Sequence, residues 1–137
     1  MKTHKKRIFI IVIFLALLST LRIAIAEITP LSFRLNSSLY GKASWYSRHS
    51  PGINKYTANN ERFNDQEMTC AIWGIEFDRQ VRVTNLENGK SVVVRVNDRG
   101  PDHRLLLQGR MIDLTKSAFR KIAPTRQGIV DVKIELL

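Results

Sequence analysis

The sequence predicts a mainly β fold, a small barrel of several strands with one short helix. Two segments alternate apolar and polar residues with period two and therefore predict strands: residues 81–96, interrupted by Asn88-Gly89, and residues 130–136. Asn88 and Gly89 tolerate the positive φ angles of a tight turn, so the runs on either side should pair as a hairpin. A closed barrel is favoured over a sandwich because closure removes the exposed edges of a short sheet.

The remaining elements follow from local patterns. Residues 39–46 predict the first strand, in which Trp45 and Tyr46 supply bulk that suits a pleated, half-buried surface. Residues 114–123 predict a helix that Pro124 ends. The apolar residues on one face of this helix are Leu114, Ala118, Phe119 and Ile122.

The first 26 residues have the three parts of a secretory signal peptide. Basic residues precede an apolar run over residues 8–18, and small residues follow at Ala24 and Ala26. An uncleaved membrane anchor is the alternative, although the run is shorter than the roughly 20 residues that span a bilayer. We expect cleavage after Ala26 and export to the periplasm or cell envelope. No cysteine lies near this site, so no lipid anchor is expected.

The predicted mature chain has a spacer over residues 27–38 and one domain over residues 39–137, long enough to bury a single core. Loss of residues 1–26 removes five basic residues and lowers the formal net charge from +10 to +5. This excess favours anionic partners, and an exported chain meets acidic wall polymers rather than nucleic acid. The single cysteine, Cys70, can form no intrachain disulfide, and we expect it to be buried.

Five segments carry a more specific pattern. They read Gly-Lys-Ala-Ser-Trp-Tyr (41–46), Thr-Ala-Asn-Asn-Glu-Arg-Phe (57–63), Val-Arg-Val-Thr-Asn-Leu-Glu-Asn-Gly-Lys (81–90), Val-Arg-Val-Asn-Asp-Arg-Gly-Pro (94–101) and Gly-Arg-Met-Ile-Asp-Leu-Thr (109–115). In order and spacing they resemble the RlpA family of bacterial peptidoglycan lytic transglycosylases. The resemblance implies a six-stranded double-psi β-barrel with one or two short helices, and a peptidoglycan substrate.

The resemblance also implies an active site. It carries the family's catalytic Asp and Glu onto Asp98 and Glu61, whereas Ile72 stands where the family has a His. Isoleucine can neither transfer a proton nor hydrogen-bond a carboxylate. Asn60 stands where the family usually has Gly, and we expect the fold to tolerate it because Asn adopts the left-handed conformation.

A lytic transglycosylase cleaves the bond between N-acetylmuramic acid (MurNAc) and N-acetylglucosamine (GlcNAc). The 6-hydroxyl of the muramic acid attacks, and a 1,6-anhydro end is formed. No water needs activation, so one carboxyl can serve as acid on the leaving oxygen and as base on that hydroxyl. The resemblance gives this role to Asp98, with Glu61 as a neighbouring carboxylate or as support for the positive centre.

Plainer interpretations of the same carboxylates remain open. Asp98 precedes a turn-forming Gly-Pro pair, where an Asp commonly accepts bonds from backbone N–H groups. Glu61 can be an ordinary solvated charge. Asp113 can join the site or cap the helix that starts near Thr115, and capping is the preferred interpretation.

Further residues are predicted to contact the glycan. Arg99 has forked donors that suit a substrate carboxylate, with pairing to Asp102 as the alternative. Asn97 lies in the same matching segment. Trp45, Tyr46 and Trp73 are candidates to stack on sugar rings, with filling of the core as the commoner role of aromatics in a small barrel. Of Trp45 and Tyr46, one and not both is expected to reach the groove, because neighbours on a strand face opposite ways.

No cofactor or metal is expected, because His49 and His103 have no Cys or carboxylate at ligand spacing. Two functions then compete. The first is the transglycosylase, which the retained Asp98 and Glu61 favour. The second is a module that grips glycan or loosens the wall without cutting, as related expansin-type barrels are thought to act, and Ile72 favours it. The sequence indicates no particular wall or septal protein as a partner.

Overall fold

The computed structural model describes residues 38–137, which form a closed barrel of six strands. The strands are β1 (Leu39–Tyr46), β2 (Thr69–Ile72), β3 (Gln80–Asn85), β4 (Ser91–Asp98), β5 (Arg110–Thr115) and β6 (Ile129–Leu136). The helices are α1 (His103–Leu106), α2 (Lys116–Ile122) and a 3-10 turn (Thr125–Gln127). The predicted signal peptide and all but the last residue of the predicted spacer lie outside the described residues. From residue 38 onward, no helix has the length and apolar character needed to span a bilayer.

Around the barrel the strands follow the order β1-β5-β2-β4-β3-β6, and β6 pairs again with β1. The pairs β1–β5 and β2–β4 are parallel, and the other four pairs are antiparallel. Most neighbours in space are therefore distant in the chain. The prediction of a six-stranded barrel with one or two short helices is confirmed.

Alternate strand residues point inward and form one core. Its largest fully buried side chains are Phe119, Ile72, Ile112, Leu114, Ile122 and Ile134. Cys70 lies in this core, as expected, and burial raises the pKa of its thiol to about 12. The thiol therefore stays protonated and unreactive at neutral pH.

Helix α2 packs against β1, β4 and β5 through the apolar face that the sequence predicts. The helix starts two residues later than expected, because Leu114 and Thr115 belong to β5. The hydroxyl of Thr115 accepts the N–H of Ala118 and caps the helix. Ala123 ends it, directly before Pro124.

The hairpin of β3 and β4 is confirmed, but its connection is not the tight turn that the sequence predicts. The loop covers residues 86–90, and within it Gly89 alone has a positive φ, of 71°. The side chain of Asn88 accepts the N–H of Lys90 and donates to the carbonyl of Ile122. The first bond lies within the loop, and the second ties the loop to the end of α2.

Replacing Phe119 by Ala should lower the free energy of unfolding by about 3–5 kcal/mol, because its fully buried ring would leave a cavity. Arg120→Ala, on the exposed side of the same helix, is the matched control and should change it by less than about 0.5 kcal/mol. Urea denaturation followed by circular dichroism measures both values. Equal stabilities of the two variants would contradict this core.

Candidate functional site

A register shift in β4 turns Asp98 toward the outer face of the barrel. Cys70 of β2 pairs with Val96, and the next residue, Ala71, pairs with Asp98, so Asn97 is passed over. Cys70 and Val96 both point into the core. Without the extra residue, Asp98 would point inward as Val96 does, and bulges commonly re-aim a side chain in this way.

A second register shift passes over Met111 in β5. Beyond it, Asp113 pairs with Ser44 of β1 and with Ala71 of β2. Ala71 therefore has Asp98 on one neighbouring strand and Asp113 on the other. The small alanine side chain separates two carboxylates on the outer face of the sheet.

Asp113 belongs to this face and is not a helix cap. Its Oδ1 accepts hydrogen bonds from the hydroxyl of Ser44 and, at 2.8 Å, from Nε of Arg110. The capping interpretation is wrong because β5 continues to Thr115, which takes the capping position instead.

One oxygen of Asp98 is fixed by the backbone, whereas the other is free within the described chain. Oδ1 accepts the N–H of Ala58 at 2.9 Å and the N–H of Arg99 at 2.8 Å. Oδ2 has no hydrogen-bond partner among residues 38–137, and the residue is half-buried. The side chain therefore holds the turn, as one interpretation expects, and also keeps an oxygen available for a proton.

Glu61 is clamped by an arginine. Nη1 and Nη2 of Arg95 donate to its two carboxylate oxygens at 2.8 and 2.9 Å, and the amide of Asn97 donates to Oε2 at 3.1 Å. Chiefly because of the bonds from Arg95 and Asn97, the pKa of Glu61 falls to about 2. Glu61 therefore remains ionised at neutral pH and is neither a free solvated charge nor a proton donor.

The clamp belongs to a compact turn over residues 57–61 that lies against the end of β4. The N–H of Asn59 donates to the carbonyl of Asn97 at 3.2 Å, while Oδ1 of Asn59 accepts the N–H of Glu61 and the hydroxyl of Thr57. Asn60 has a φ of 69°, the left-handed conformation expected at this position. The same turn supplies the Ala58 N–H that binds Asp98.

The two neighbouring aromatic residues of β1 face opposite sides, as predicted. Trp45 packs against the core, its Nε1 donates to the carbonyl of Thr125 at 3.1 Å, and Nζ of Lys116 lies over its ring. Tyr46 stacks on Phe63 with ring centroids 4.9 Å apart and is only 6% exposed. Because Trp45 is held against the core and Tyr46 is covered, the geometry favours neither as a sugar-stacking ring.

Tyr46 lies on the same face of β1 as Ser44, whose hydroxyl bonds Asp113. Burial and then the negative charges of Asp98 and Asp113 raise the pKa of Tyr46 well above its ordinary value. Its oxygen is buried and has no hydrogen-bond partner among the described residues. We call Asp98, Asp113 and Tyr46 the aspartate cluster.

Arg99 does not pair with Asp102, so that alternative is wrong. Its Nη1 donates to the carbonyl of Ile72 at 3.2 Å, and its guanidinium carbon lies 3.7 Å from the centre of the Phe77 ring. Asp102 instead caps α1 and bonds Arg104. Arg99 is half-buried and keeps further N–H donors for a substrate oxygen.

Two other site positions lie deeper than expected. Asn97 is only 3% exposed, and its amide supports Glu61, so direct substrate contact through this side chain is not favoured. Ile72 is 1% exposed and belongs to the core, on the face of β2 opposite to Ala71. The replaced family His therefore maps to an inward-facing position. No group of three or more His, Cys, Asp or Glu side chains within residues 38–137 is arranged to hold a metal ion.

A protein-family model described as "Lytic transglycolase" matches residues 38–134, nearly the whole barrel. The chain belongs to this family. A relative from Nostoc sp., named probable endolytic peptidoglycan transglycosylase RlpA, is 46% identical over 100 residues, which cover 73% of this chain and 26% of the relative. The resemblance to the RlpA family is thus confirmed, and the chain spans about a quarter of that relative's length.

Solved structures share the fold of this lytic transglycolase barrel. Streptomyces papain inhibitor superposes with a TM-score of 0.58 and 22% identity, covering 74% of this chain and 96% of the inhibitor. A variant of Clavibacter michiganensis expansin in complex with cellohexaose superposes with a TM-score of 0.54 and 20% identity, covering 74% of this chain and 50% of the expansin. At such identities the likeness establishes the fold alone.

Replacing Glu61 by Gln should lower the free energy of unfolding at pH 7 by about 1 kcal/mol, because the ion pair with Arg95 is half-exposed and screened by solvent. The pKa of Glu61 is lowered from 4.5 to about 2. The contribution of ionised Glu61 to the free energy of unfolding is therefore complete above pH 4.5 and is lost as the pH falls through about 2. Urea denaturation across this range should show that the difference in free energy of unfolding between wild type and Glu61→Gln shrinks as the pH falls.

The matched control for this experiment is Glu76→Gln, at an exposed glutamate with no ion pair among the described residues. Its stability relative to wild type should not follow the same pH dependence. A difference between wild type and Glu61→Gln that stays constant down to the lowest pH would contradict the clamp.

Proposed function

We propose that the barrel is an endolytic peptidoglycan lytic transglycosylase, which cleaves the MurNAc–GlcNAc bond and forms 1,6-anhydro ends. The family to which the chain belongs and the activity named for its Nostoc relative support this proposal. The observation that carries it is the environment of Asp98. One of its carboxylate oxygens is fixed by two backbone N–H groups, and the other has no hydrogen-bond partner within residues 38–137.

Asp98 performs both proton transfers. In its protonated form it gives the proton on Oδ2 to the glycosidic oxygen as the bond from that oxygen to C1 breaks. The 6-hydroxyl oxygen of the muramic acid bonds to C1, and Asp98 takes the proton of this hydroxyl. The aspartate returns to its starting state and no water enters the product. The bonds on Oδ1 hold the side chain in one orientation through both steps.

The other two carboxylates support this chemistry without exchanging protons. Asp113, whose charge Arg110 partly offsets, is the second carboxylate of the aspartate cluster and supports the oxocarbenium-like centre that forms at C1. Glu61 acts as a positioning residue, because its clamp holds the turn whose Ala58 N–H binds Asp98. In this proposal Asp113 takes the electrostatic role that the family resemblance offers as one option for Glu61.

Action on the wall requires export, and this part of the proposal depends on the N-terminal sequence. The basic, apolar and small-residue segments before residue 27 support cleavage after Ala26 and a location in the periplasm or cell envelope. The net charge of +5 after cleavage suits an anionic wall polymer.

Glycan binding without cleavage is the second candidate function. The loss of the family His at Ile72 favours it, as does the fold shared with an expansin solved with cellohexaose. The enzyme remains the better proposal because the side chain at position 72 points into the core, away from the face that carries Asp98.

Purified protein incubated with peptide-free glycan strands should release products with 1,6-anhydro ends, detected by mass spectrometry. Asp98→Asn should abolish them, because an amide cannot give and retake the proton. The matched control is Asp131→Asn, an exposed aspartate that pairs with Lys42, and it should retain activity. Anhydro ends released by Asp98→Asn would overturn the role of Asp98. A folded wild type that binds strands but releases no anhydro ends would establish the second candidate.

A further inference from the structure

Trp73 is an exposed aromatic side chain at the border of the aspartate cluster. It follows directly after β2 and lies two residues beyond Ala71, the residue that separates the two aspartates. The side chain is 40% exposed, so it does not serve to fill the core. Its Nε1 donates to the carbonyl of Pro101 at 2.7 Å, which fixes the orientation of the ring.

A second ring stands against the indole. The imidazole of His103 stacks on Trp73 with centroids 4.9 Å apart and an angle of 20° between the planes. His103 is the first residue of α1, and its neighbour Asp102 caps that helix. The two rings thus come from separate segments: the indole is held by its bond to Pro101, and the imidazole is carried by the first residue of α1.

Both segments are connected to residues 98–101, the short stretch that begins with Asp98. Residues 98–101 connect to the end of β2 through two bonds, from Trp73 to the carbonyl of Pro101 and from Arg99 to the carbonyl of Ile72. Between them Gly100 lies over the sheet, where an added Cβ would be in ordinary van der Waals contact with the Cβ of Ala71, at 3.4 Å. The stacked rings are therefore fixed to the same short segment as the proposed catalytic carboxyl.

We propose that Trp73, backed by His103, is an aromatic platform that binds a pyranose ring of the glycan strand next to the bond at Asp98. The inference rests on the proposed function, since it names a substrate contact of that site. One face of a pyranose ring presents C–H groups with partial positive charge, which suit the negative face of an indole. The indole is already held in place, so little conformational entropy is lost on binding.

The test measures the binding of peptide-free glycan strands by isothermal titration calorimetry, with Asp98→Asn in every protein so that no strand is cut. Trp73→Ala should weaken binding roughly tenfold. Trp73→Phe keeps a ring and should lose less. Tyr40→Ala, at a 63% exposed tyrosine of β1 that pairs with β6 and not with β2, is the matched control and should bind normally.

Fluorescence gives an independent readout that does not depend on the alanine variant being folded. The chain has two tryptophans, and Trp45 is packed against the core. Bound strands should therefore change the emission of a protein that has Trp73 and leave Trp73→Phe unchanged. Wild-type affinity in folded Trp73→Ala, or an emission change that persists in Trp73→Phe, would overturn the platform.

The outcome also separates this inference from the proposed function. If strand binding requires Trp73 but the unsubstituted protein releases no anhydro ends, the platform stands and the transglycosylase proposal fails. If anhydro ends form and Trp73→Ala changes neither strand affinity nor KM, the transglycosylase stands and the platform is refuted.

Discussion

The pairing of β2 is the constraint on which the site depends. It places one strand end between β4 and β5, and in each neighbour a register shift turns an aspartate to the outer face at Ala71. Gly100 lies over this position, so that a Cβ added at Gly100 would come into van der Waals contact with the Cβ of Ala71, at 3.4 Å. The arrangement brings Asp98 and Asp113 together from segments that no local pattern connects, and it keeps the core beneath them continuous.

A second layer of polar contacts holds Asp98, the proposed catalytic carboxyl, in place. Glu61, Arg95 and Asn97 join the turn at residues 57–61 to β4, and that turn returns an N–H to Asp98. Asp98 and Glu61, which both match the family's catalytic residues, thus have different physical roles. A carboxylate with an arginine on both oxygens is held ionised, whereas one fixed by a single oxygen keeps the other for proton transfer.

The sequence predicts those features that depend on local pattern, and it misses those that depend on long-range pairing. Period-two alternation reveals the hairpin strands and β6, and the apolar face reveals α2. Local pattern does not reveal which strands are neighbours. Asp113, which pairs with strands β1 and β2, is therefore interpreted from the sequence as a helix cap. The alternation of Trp45 and Tyr46 is predictable, but the ring that covers Tyr46 comes from Phe63, and the bond that orients the ring of Trp73 comes from the distant Pro101. The family motifs point to Asp98 and Glu61, but they do not reveal that Arg95 binds both oxygens of Glu61 and gives it a different role from Asp98.

The most direct test of the account is a crystal structure of the Asp98→Asn protein with a bound peptide-free glycan strand. The account predicts that the side chain of residue 98 lies about 3 Å from the glycosidic oxygen between a muramic acid and the next glucosamine. The muramic 6-hydroxyl should lie on the same side. A strand bound with that oxygen beyond hydrogen-bond reach of residue 98 would contradict the central claim that this carboxyl cuts the glycan.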